Sequence, residues 1–236
     1  MTIFREILYP DRCPGCDNIL YDKERKRGFC QECASKTQLI GKTVCVKCGK
    51  RLKDETKVYC EDCKKLHHYF TQGKAGFLYD GPMKLAMYRF KYSNRRCYGR
   101  IFAEVLWEQY GRWMRENEIE GIAPVPMYGR KERQRGYNQA RVLAEELGQK
   151  SGLPVYNHLV IRVQNSAPQK NLNYIERKNN LKNAFKIRKN AVKLRKILLI
   201  DDIYTTGSTM DAVSRVLLES GVEQIYGMSV CIGEDR

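Results

Sequence analysis

Long apolar runs are missing from this sequence. No stretch approaches the roughly 18 consecutive apolar residues that a membrane-spanning helix needs. The apolar run at residues 3–8 is short and interrupted by charges, unlike the core of a secretory signal. Low-complexity tracts are also missing. We therefore predict a soluble protein with no membrane span, located in the cytoplasm.

Acidic residues are scarce relative to basic ones. The chain has 27 Asp and Glu against 43 Lys and Arg, and its net charge is +16. A surplus of this size favours a polyanionic partner such as nucleic acid or a phosphorylated metabolite. The alternative is a basic surface with no such partner. Hydrophobic residues make up 42% of the 236 positions, enough for one medium-sized globular domain and a small one.

Cysteine is the one residue type whose distribution is strongly uneven. Eight of the ten cysteines lie in the first 63 residues as four C-x-x-C pairs. Without a signal for secretion, this spacing indicates metal binding rather than disulfides. Eight thiolates fill two tetrahedral zinc sites, which we predict to be structural because no coordination position stays open. The pairs are Cys13/Cys16, Cys30/Cys33, Cys45/Cys48 and Cys60/Cys63.

Two alternatives remain for these cysteines. Consecutive pairing would place the first four on one zinc ion and the last four on the other, but the spacing also allows a crossed arrangement. Iron–sulfur ligation is the minority interpretation. Cys97 and Cys231 lie outside the pattern, and we expect them to be packed residues. We interpret His67 and His68, which follow the last pair, as part of a linker.

After this linker the sequence alternates between predicted strands and helices. Residues 197–200 are fully apolar, which is typical of a parallel strand covered on both faces. The alternation predicts an α/β domain with a mainly parallel sheet. Residues 164–183 are polar and long for a connection, as functional lids often are. The main predicted strands are 74–79, 121–125, 197–200 and 224–231, and the helices are 83–90, 101–114, 139–147 and 208–219.

The most informative stretch begins where the apolar strand meets two acids. Asp201 and Asp202 are followed by the turn Thr205-Thr206-Gly207-Ser208-Thr209, which opens a helix. Free N–H groups, the helix dipole and hydroxyl side chains at such a turn bind phosphate, and glycine allows the backbone to curve tightly. Sugar hydroxyls and a Mg²⁺ ion would satisfy the two carboxylates. The alternative is an ordinary capped helix, which does not require two successive acids.

This stretch resembles the 5-phosphoribosyl-1-pyrophosphate (PRPP) motif of type I phosphoribosyltransferases. In that family the adjacent acids, here Asp201 and Asp202, bind the ribose hydroxyls and orient the ribose in catalysis. The resemblance assigns the 5-phosphate to the turn at residues 205–209. Enzymes for 6-oxopurines carry an acid where this chain has Thr205, so that substrate class is disfavoured.

Further motifs extend the resemblance to the ComF family over roughly residues 8–232. It implies a double zinc ribbon at residues 1–70 joined to a phosphoribosyltransferase-like domain at residues 71–236. In related enzymes the loop after the first core strand contacts pyrophosphate, which implies this role for Val125, Pro126 and Arg130. Residues 164–177 would form a hood over PRPP. The motifs are Pro124-Val125-Pro126, the run from Arg133 to Gln139, Pro168-Gln169, and Glu176-Arg177 before Asn180.

The ComF resemblance also implies partners and a role. It implies binding of PRPP with Mg²⁺ and the handling of single-stranded DNA during natural transformation, together with a DNA-uptake helicase or other competence proteins. The alternatives are an active phosphoribosyltransferase of nucleotide salvage with an unknown acceptor, and a PRPP-sensing regulator. The sequence leaves open whether the domain catalyses a transfer.

Overall fold

The computed structural model describes residues 10–21, 24, 28–164, 181, 183–188 and 194–234. Most of the predicted hood, with its motifs at residues 168–180, lies outside these ranges. No helix within them is long and apolar enough to cross a membrane. The elements are α1 (Gln31–Lys36), α2 (Glu61–Lys65), β1 (Gln72–Leu78), α3 (Gly81–Tyr92), α4 (Tyr98–Glu116), β2 (Gly121–Pro124), α5 (Gly129–Arg135), α6 (Gln139–Ser151), β3 (Val160–Arg162), β4 (Phe185–Ile187), β5 (Lys196–Tyr204), α7 (Ser208–Glu219) and β6 (Gln224–Ile232).

Four parallel strands form the central sheet in the order β1–β6–β5–β2. The four apolar residues at 197–200 in β5 are fully buried. Leu198 and Ile200 pack into one hydrophobic layer and Ile197 and Leu199 into another, because alternate residues of a strand face opposite sides. The predicted α/β class with a mainly parallel sheet is confirmed, as is the strand covered on both faces.

The two cysteine-rich segments pack on opposite faces of this sheet. Cys13 and Cys33 belong to the same hydrophobic layer as α3, α4 and α6. The other layer, which contains α7, includes Cys45, Cys48 and Cys60. Each segment therefore supplements a small apolar content of its own by packing against the α/β core.

The chain between the two segments follows the edge of the sheet. The N–H of Ile40 donates to the carbonyl of Gly76 at 3.0 Å, and the N–H of Leu78 donates to the carbonyl of Gln38 at 2.9 Å. This short antiparallel pairing covers the free edge of β1, whose backbone groups would otherwise lack partners. The division of the chain at residue 70 stays a prediction.

Two local features differ from the sequence-based expectation. Arg130, which the family resemblance assigns to the loop after the first core strand, lies in α5, and this helix ends at Gly136 with a φ of 88°. None of its residues is buried, so it has no apolar face for a sequence pattern to reveal. In addition, β5 continues past Ile200 to Tyr204, so Asp201 and Asp202 lie inside the strand rather than after it.

Candidate functional site

The eight paired cysteines form two clusters with consecutive pairing. Within each cluster the four sulfur atoms lie within 4.8 Å of one another. The Sγ atoms of Cys16 and Cys30 are 3.7 Å apart, and those of Cys48 and Cys60 are 3.6 Å apart. Tetrahedral zinc with Zn–S bonds near 2.3 Å places its sulfur ligands about 3.8 Å apart. Both clusters therefore fit zinc, and of the two pairings that the sequence left open the structure has the consecutive one. The clusters are Cys13, Cys16, Cys30 and Cys33, then Cys45, Cys48, Cys60 and Cys63.

Polar groups around each cluster suit ionised sulfur. In the first, the N–H of Cys30 donates to Cys13 Sγ at 3.5 Å and the N–H of Cys33 donates to Cys30 Sγ at 3.4 Å. Beside the second, the buried Lys50 pairs with Asp62 at 2.5 Å, and its positive charge acts on the thiolates. A zinc ion with four thiolates carries net negative charge, which donors and cations of this kind stabilise.

Replacing one cysteine of the first cluster should remove one zinc ion. We expect Cys33→Ser to lower the bound zinc from two ions per chain to about one, because an incomplete thiolate set binds the metal far more weakly. Elemental analysis of purified protein measures the ratio. The matched control is Cys97→Ser, which should leave two ions in place. Cys97 lies outside both clusters and is exposed, so the expectation that it is a packed residue is wrong.

Asp201 and Asp202, which we call the diacid, lie close to a lysine that the sequence analysis missed. Lys91 Nζ, at the end of α3, is 2.8 Å from Asp202 Oδ2. The N–H of Asp202 donates to Asp201 Oδ1 at 2.8 Å. Burial, with the neighbouring Asp202 carboxylate, raises the pKa of Asp201 to about 7, while the charges of Lys91 and Arg162 act in the opposite direction. At Asp201 the effect of burial thus outweighs that of the two cations, and the site opposes ionisation of this carboxyl.

The turn after the diacid forms the N-terminus of α7. Gly207 precedes the helix with a φ of 80°, and the hydroxyl oxygens of Thr206 and Ser208 are 2.8 Å apart. A Cβ atom on Gly207 would lie 2.5 Å from Tyr204 Oη and 3.0 Å from His68 Cε1. Only glycine fits here. The turn thus presents backbone N–H groups and hydroxyls at the start of a 12-residue helix, as the phosphate-binding interpretation requires.

The loop after β2 lies beside the diacid strand. The N–H of Val125 donates to the carbonyl of Ile200 at 2.8 Å, so Val125 and Pro126 flank β5 where the diacid begins. Asn138 holds this loop in place, since its Nδ2 donates to the Val125 carbonyl at 3.0 Å. Arg130 lies on the exposed side of α5, and its pyrophosphate role stays a prediction.

A buried histidine connects the second zinc cluster to the turn. The Nδ1 of His68 is 2.7 Å from Asp211 Oδ2, and the N–H of Tyr69 donates to Asp211 Oδ1 at 3.0 Å. The His68 ring stacks on Phe70 at 4.9 Å, and Phe70 meets Tyr204 edge-on at 6.1 Å. The linker interpretation of the two histidines is therefore wrong for His68. Nothing in the sequence distinguishes it from its neighbour.

Removing the buried histidine should destabilise the fold, unlike removing the one beside it. We expect His68→Ala to lower the free energy of unfolding by about 2–4 kcal/mol, because it leaves a cavity and an Asp211 oxygen without its partner. His67→Ala, at an exposed position, should change it by less than about 0.5 kcal/mol. Urea denaturation of zinc-loaded protein measures both. Equal effects would contradict this account.

Because the pKa of Asp201 is raised, we predict that an uncharged side chain at this position stabilises the fold, and more so at high pH than at low pH. The folded state binds this proton more tightly than the unfolded state, whose Asp pKa is about 3.9, so protonation of Asp201 favours folding. The contribution of Asp201 to stability is therefore complete below about pH 3.9 and is lost as the pH rises through 7. We expect Asp201→Asn to stabilise the ligand-free protein by about 2 kcal/mol at pH 8, since asparagine can still accept from the Asp202 N–H. Urea denaturation at pH 8 and pH 5 tests this. A gain of the same size at pH 5 would contradict it.

Several known proteins are similar to this chain. A family model described as "Double zinc ribbon domain" matches residues 4–64. The chain is 28% identical to competence protein ComFC of Bacillus subtilis over 81% of this chain and 78% of that protein. It is 26% identical to DNA utilization protein YhgH of Escherichia coli over 86% of this chain and 90% of that protein. A solved adenine phosphoribosyltransferase aligns with a TM-score of 0.41 and 14% identity, over 70% of this chain and 82% of that one.

One further relative spans almost the whole chain. Competence protein F of Haemophilus influenzae is 32% identical over 225 residues, which cover 92% of this chain and 96% of that protein. The alignment includes both the zinc-binding segment and the α/β core, so it is not a match to one module alone. On this identity and coverage, the chain belongs to the ComF family of competence proteins.

Proposed function

We propose that this protein binds PRPP with Mg²⁺ at the diacid and the following turn, and that it handles single-stranded DNA during DNA uptake. The observation that carries the first part is the placement of Asp201 and Asp202 in β5, ahead of a turn in which only glycine fits at position 207. Carboxylates accept hydrogen bonds from ribose hydroxyls. The free N–H groups of α7 suit the 5-phosphate.

The surroundings of the diacid also suit a pyrophosphate group. Lys91 lies 2.8 Å from Asp202, and the charge of Arg162 acts on Asp201. These two cations would attract the pyrophosphate, while Val125 and Pro126 border it from the neighbouring strand. Mg²⁺ takes oxygen ligands, so the two carboxylates and the phosphates form a suitable donor set. The ion would neutralise part of the pyrophosphate charge.

Catalysis is a separate candidate function of the same site. A nucleophile would form a bond to the ribose anomeric carbon while the bond to pyrophosphate breaks, and the cations would stabilise the leaving group. The observation in favour is that Lys91 and Arg162 act on the diacid. Release of pyrophosphate from PRPP only when an acceptor is added would demonstrate this catalysis. Thr205 disfavours 6-oxopurine bases, by the family resemblance.

The DNA part of the proposal is supported by relatives and by charge. Relatives that align over most of the chain are named competence protein F, ComFC and DNA utilization protein. The net charge of +16 favours a polyanion. Other competence proteins, including a DNA-uptake helicase, are the protein partners that such a role implies.

Removing the charge of the diacid should abolish PRPP binding. In calorimetric titrations with PRPP and Mg²⁺, we expect Asp201→Asn/Asp202→Asn to weaken binding at least about 100-fold, because each carboxylate supplies charge-assisted hydrogen bonds. The bound zinc should stay at two ions per chain.

The matched control for this double variant is Asp54→Asn/Glu55→Gln. It neutralises two adjacent acids at exposed positions of the second zinc-binding segment, so the change in net charge is the same. We expect unchanged PRPP affinity. Full affinity in the diacid variant would refute the site, and no binding by the parent protein would refute the ligand.

A further inference from the structure

We infer that Tyr88, Tyr92 and Arg135 form a platform on which bases of single-stranded nucleic acid stack, at the rim of the diacid site. We call these three residues the tyrosine platform. Nothing in the family resemblance or in the names of the relatives assigns a role to them. The inference deepens the proposed DNA-handling function and rests on it, because it identifies the surface that the nucleic acid would contact.

The first argument is the exposure and geometry of the two rings. Tyr88 is 58% exposed and Tyr92 is 62% exposed, one turn apart on α3. Their ring centroids are 5.1 Å apart, and the guanidinium of Arg135 lies over the Tyr92 ring at 4.9 Å. Contiguous exposed aromatic surface commonly marks an interaction site. Here the two rings contact each other and the guanidinium packs on one of them, so these contacts hold the aromatic surface in place for a base.

The second argument is the charge of the surrounding chain. Residues 81–100, which include all of α3, contain six Lys and Arg and no Asp or Glu. Arg96 adds to the surface beside the platform, because its guanidinium donates to the Gly136 carbonyl at 2.7 Å and lies over the Tyr137 ring. Cations interleaved with exposed aromatic rings are the combination that binds single strands, with cations on the phosphates and rings on the bases.

The charge also argues against a second copy of this chain as the occupant. A symmetric dimer through this face would bring the same cations of two chains together, which like-charge repulsion disfavours. A single-stranded nucleic acid matches both the sign of the charge and the aromatic surface. Association of two copies is therefore treated as an outcome of the test.

The third argument is continuity with the diacid site. Lys91 directly precedes Tyr92 in α3, and its ammonium group pairs with Asp202. The charge of Arg135 acts on Lys91, and its Nη1 donates to Gln139 Oε1 at 2.7 Å. A strand stacked on the platform would therefore extend to the rim of the site proposed for PRPP.

Fluorescence anisotropy with a labelled oligothymidylate tests the platform. We expect Tyr88→Ala/Tyr92→Ala to weaken binding about tenfold or more for each ring lost. The salt slope, which is the slope of the logarithm of affinity against the logarithm of salt concentration, should not change because no cation is removed. Tyr88→Phe/Tyr92→Phe keeps both rings and should restore the affinity. Arg135→Ala should lower the salt slope as well as the affinity, because it removes a cation.

A tyrosine elsewhere on the surface provides the control. Tyr21 is 64% exposed and lies between Cys16 and Cys30 in the sequence, within the first zinc-binding segment. Tyr21→Ala should bind the oligonucleotide as the parent does, whereas a larger loss there than at the platform would place the nucleic acid on the zinc ribbon and overturn the inference. Sedimentation should show the same oligomeric state for all variants. A change confined to the platform variant would instead identify an interface between copies.

Two negative results would have different meanings. If the parent protein does not bind the oligonucleotide, the proposed DNA-handling function fails and the inference fails with it. If the parent binds and the double alanine variant binds equally well, only the platform is refuted. Circular dichroism and zinc content, which should match the parent in every variant, verify that a lost affinity does not reflect a lost fold.

Discussion

Two adjacent carboxylates in a central strand of the sheet, directly after four fully buried residues, impose the constraint on which the rest of the site depends. Charge at such a position must be compensated, and for the diacid the compensation comes from side chains distant in sequence. Lys91 extends to it from the end of α3. That helix is in turn held to the first zinc-binding segment, because Arg89 donates to the carbonyl of Gly15 at 2.7 Å. The position of the compensating lysine thus depends on the first zinc cluster.

The second zinc cluster supports the other end of the same site. Phe70 lies in one hydrophobic layer with Cys45 and Tyr204, and Tyr204 limits the space at Gly207. His68 adds a polar connection through Asp211 in the first turn of α7. The two clusters lie on opposite faces of the sheet. The first packs on the side of the helix that carries Lys91, and the second packs on the side of the turn before α7. A segment with little apolar surface of its own is thereby integrated into the candidate site.

The features that the sequence predicted are those with a local signature. Four C-x-x-C pairs, an apolar run of four residues and two acids before a Thr/Ser/Gly turn each identify their element without tertiary information. The sequence could not predict contacts between distant residues. His68 and Asp211 are 143 positions apart, and Lys91 is one of two cations in the last turn of its helix. Likewise, α5 buries no residue, so its sequence lacks the apolar periodicity that would predict a helix.

Asp201 and Asp211 differ in how completely their carboxylate oxygens are hydrogen-bonded. Asp211 has a partner for each oxygen, His68 Nδ1 for one and the Tyr69 N–H for the other, which is the arrangement of a structural carboxylate. Asp201 accepts from the N–H of Asp202 within the described chain, and burial raises its pKa to about 7. An acid whose burial opposes its own ionisation is a poor device for stability alone. It is suited to a ligand that brings hydroxyl donors or a cation, and this is the physical reason to propose PRPP binding at the diacid rather than at Asp211.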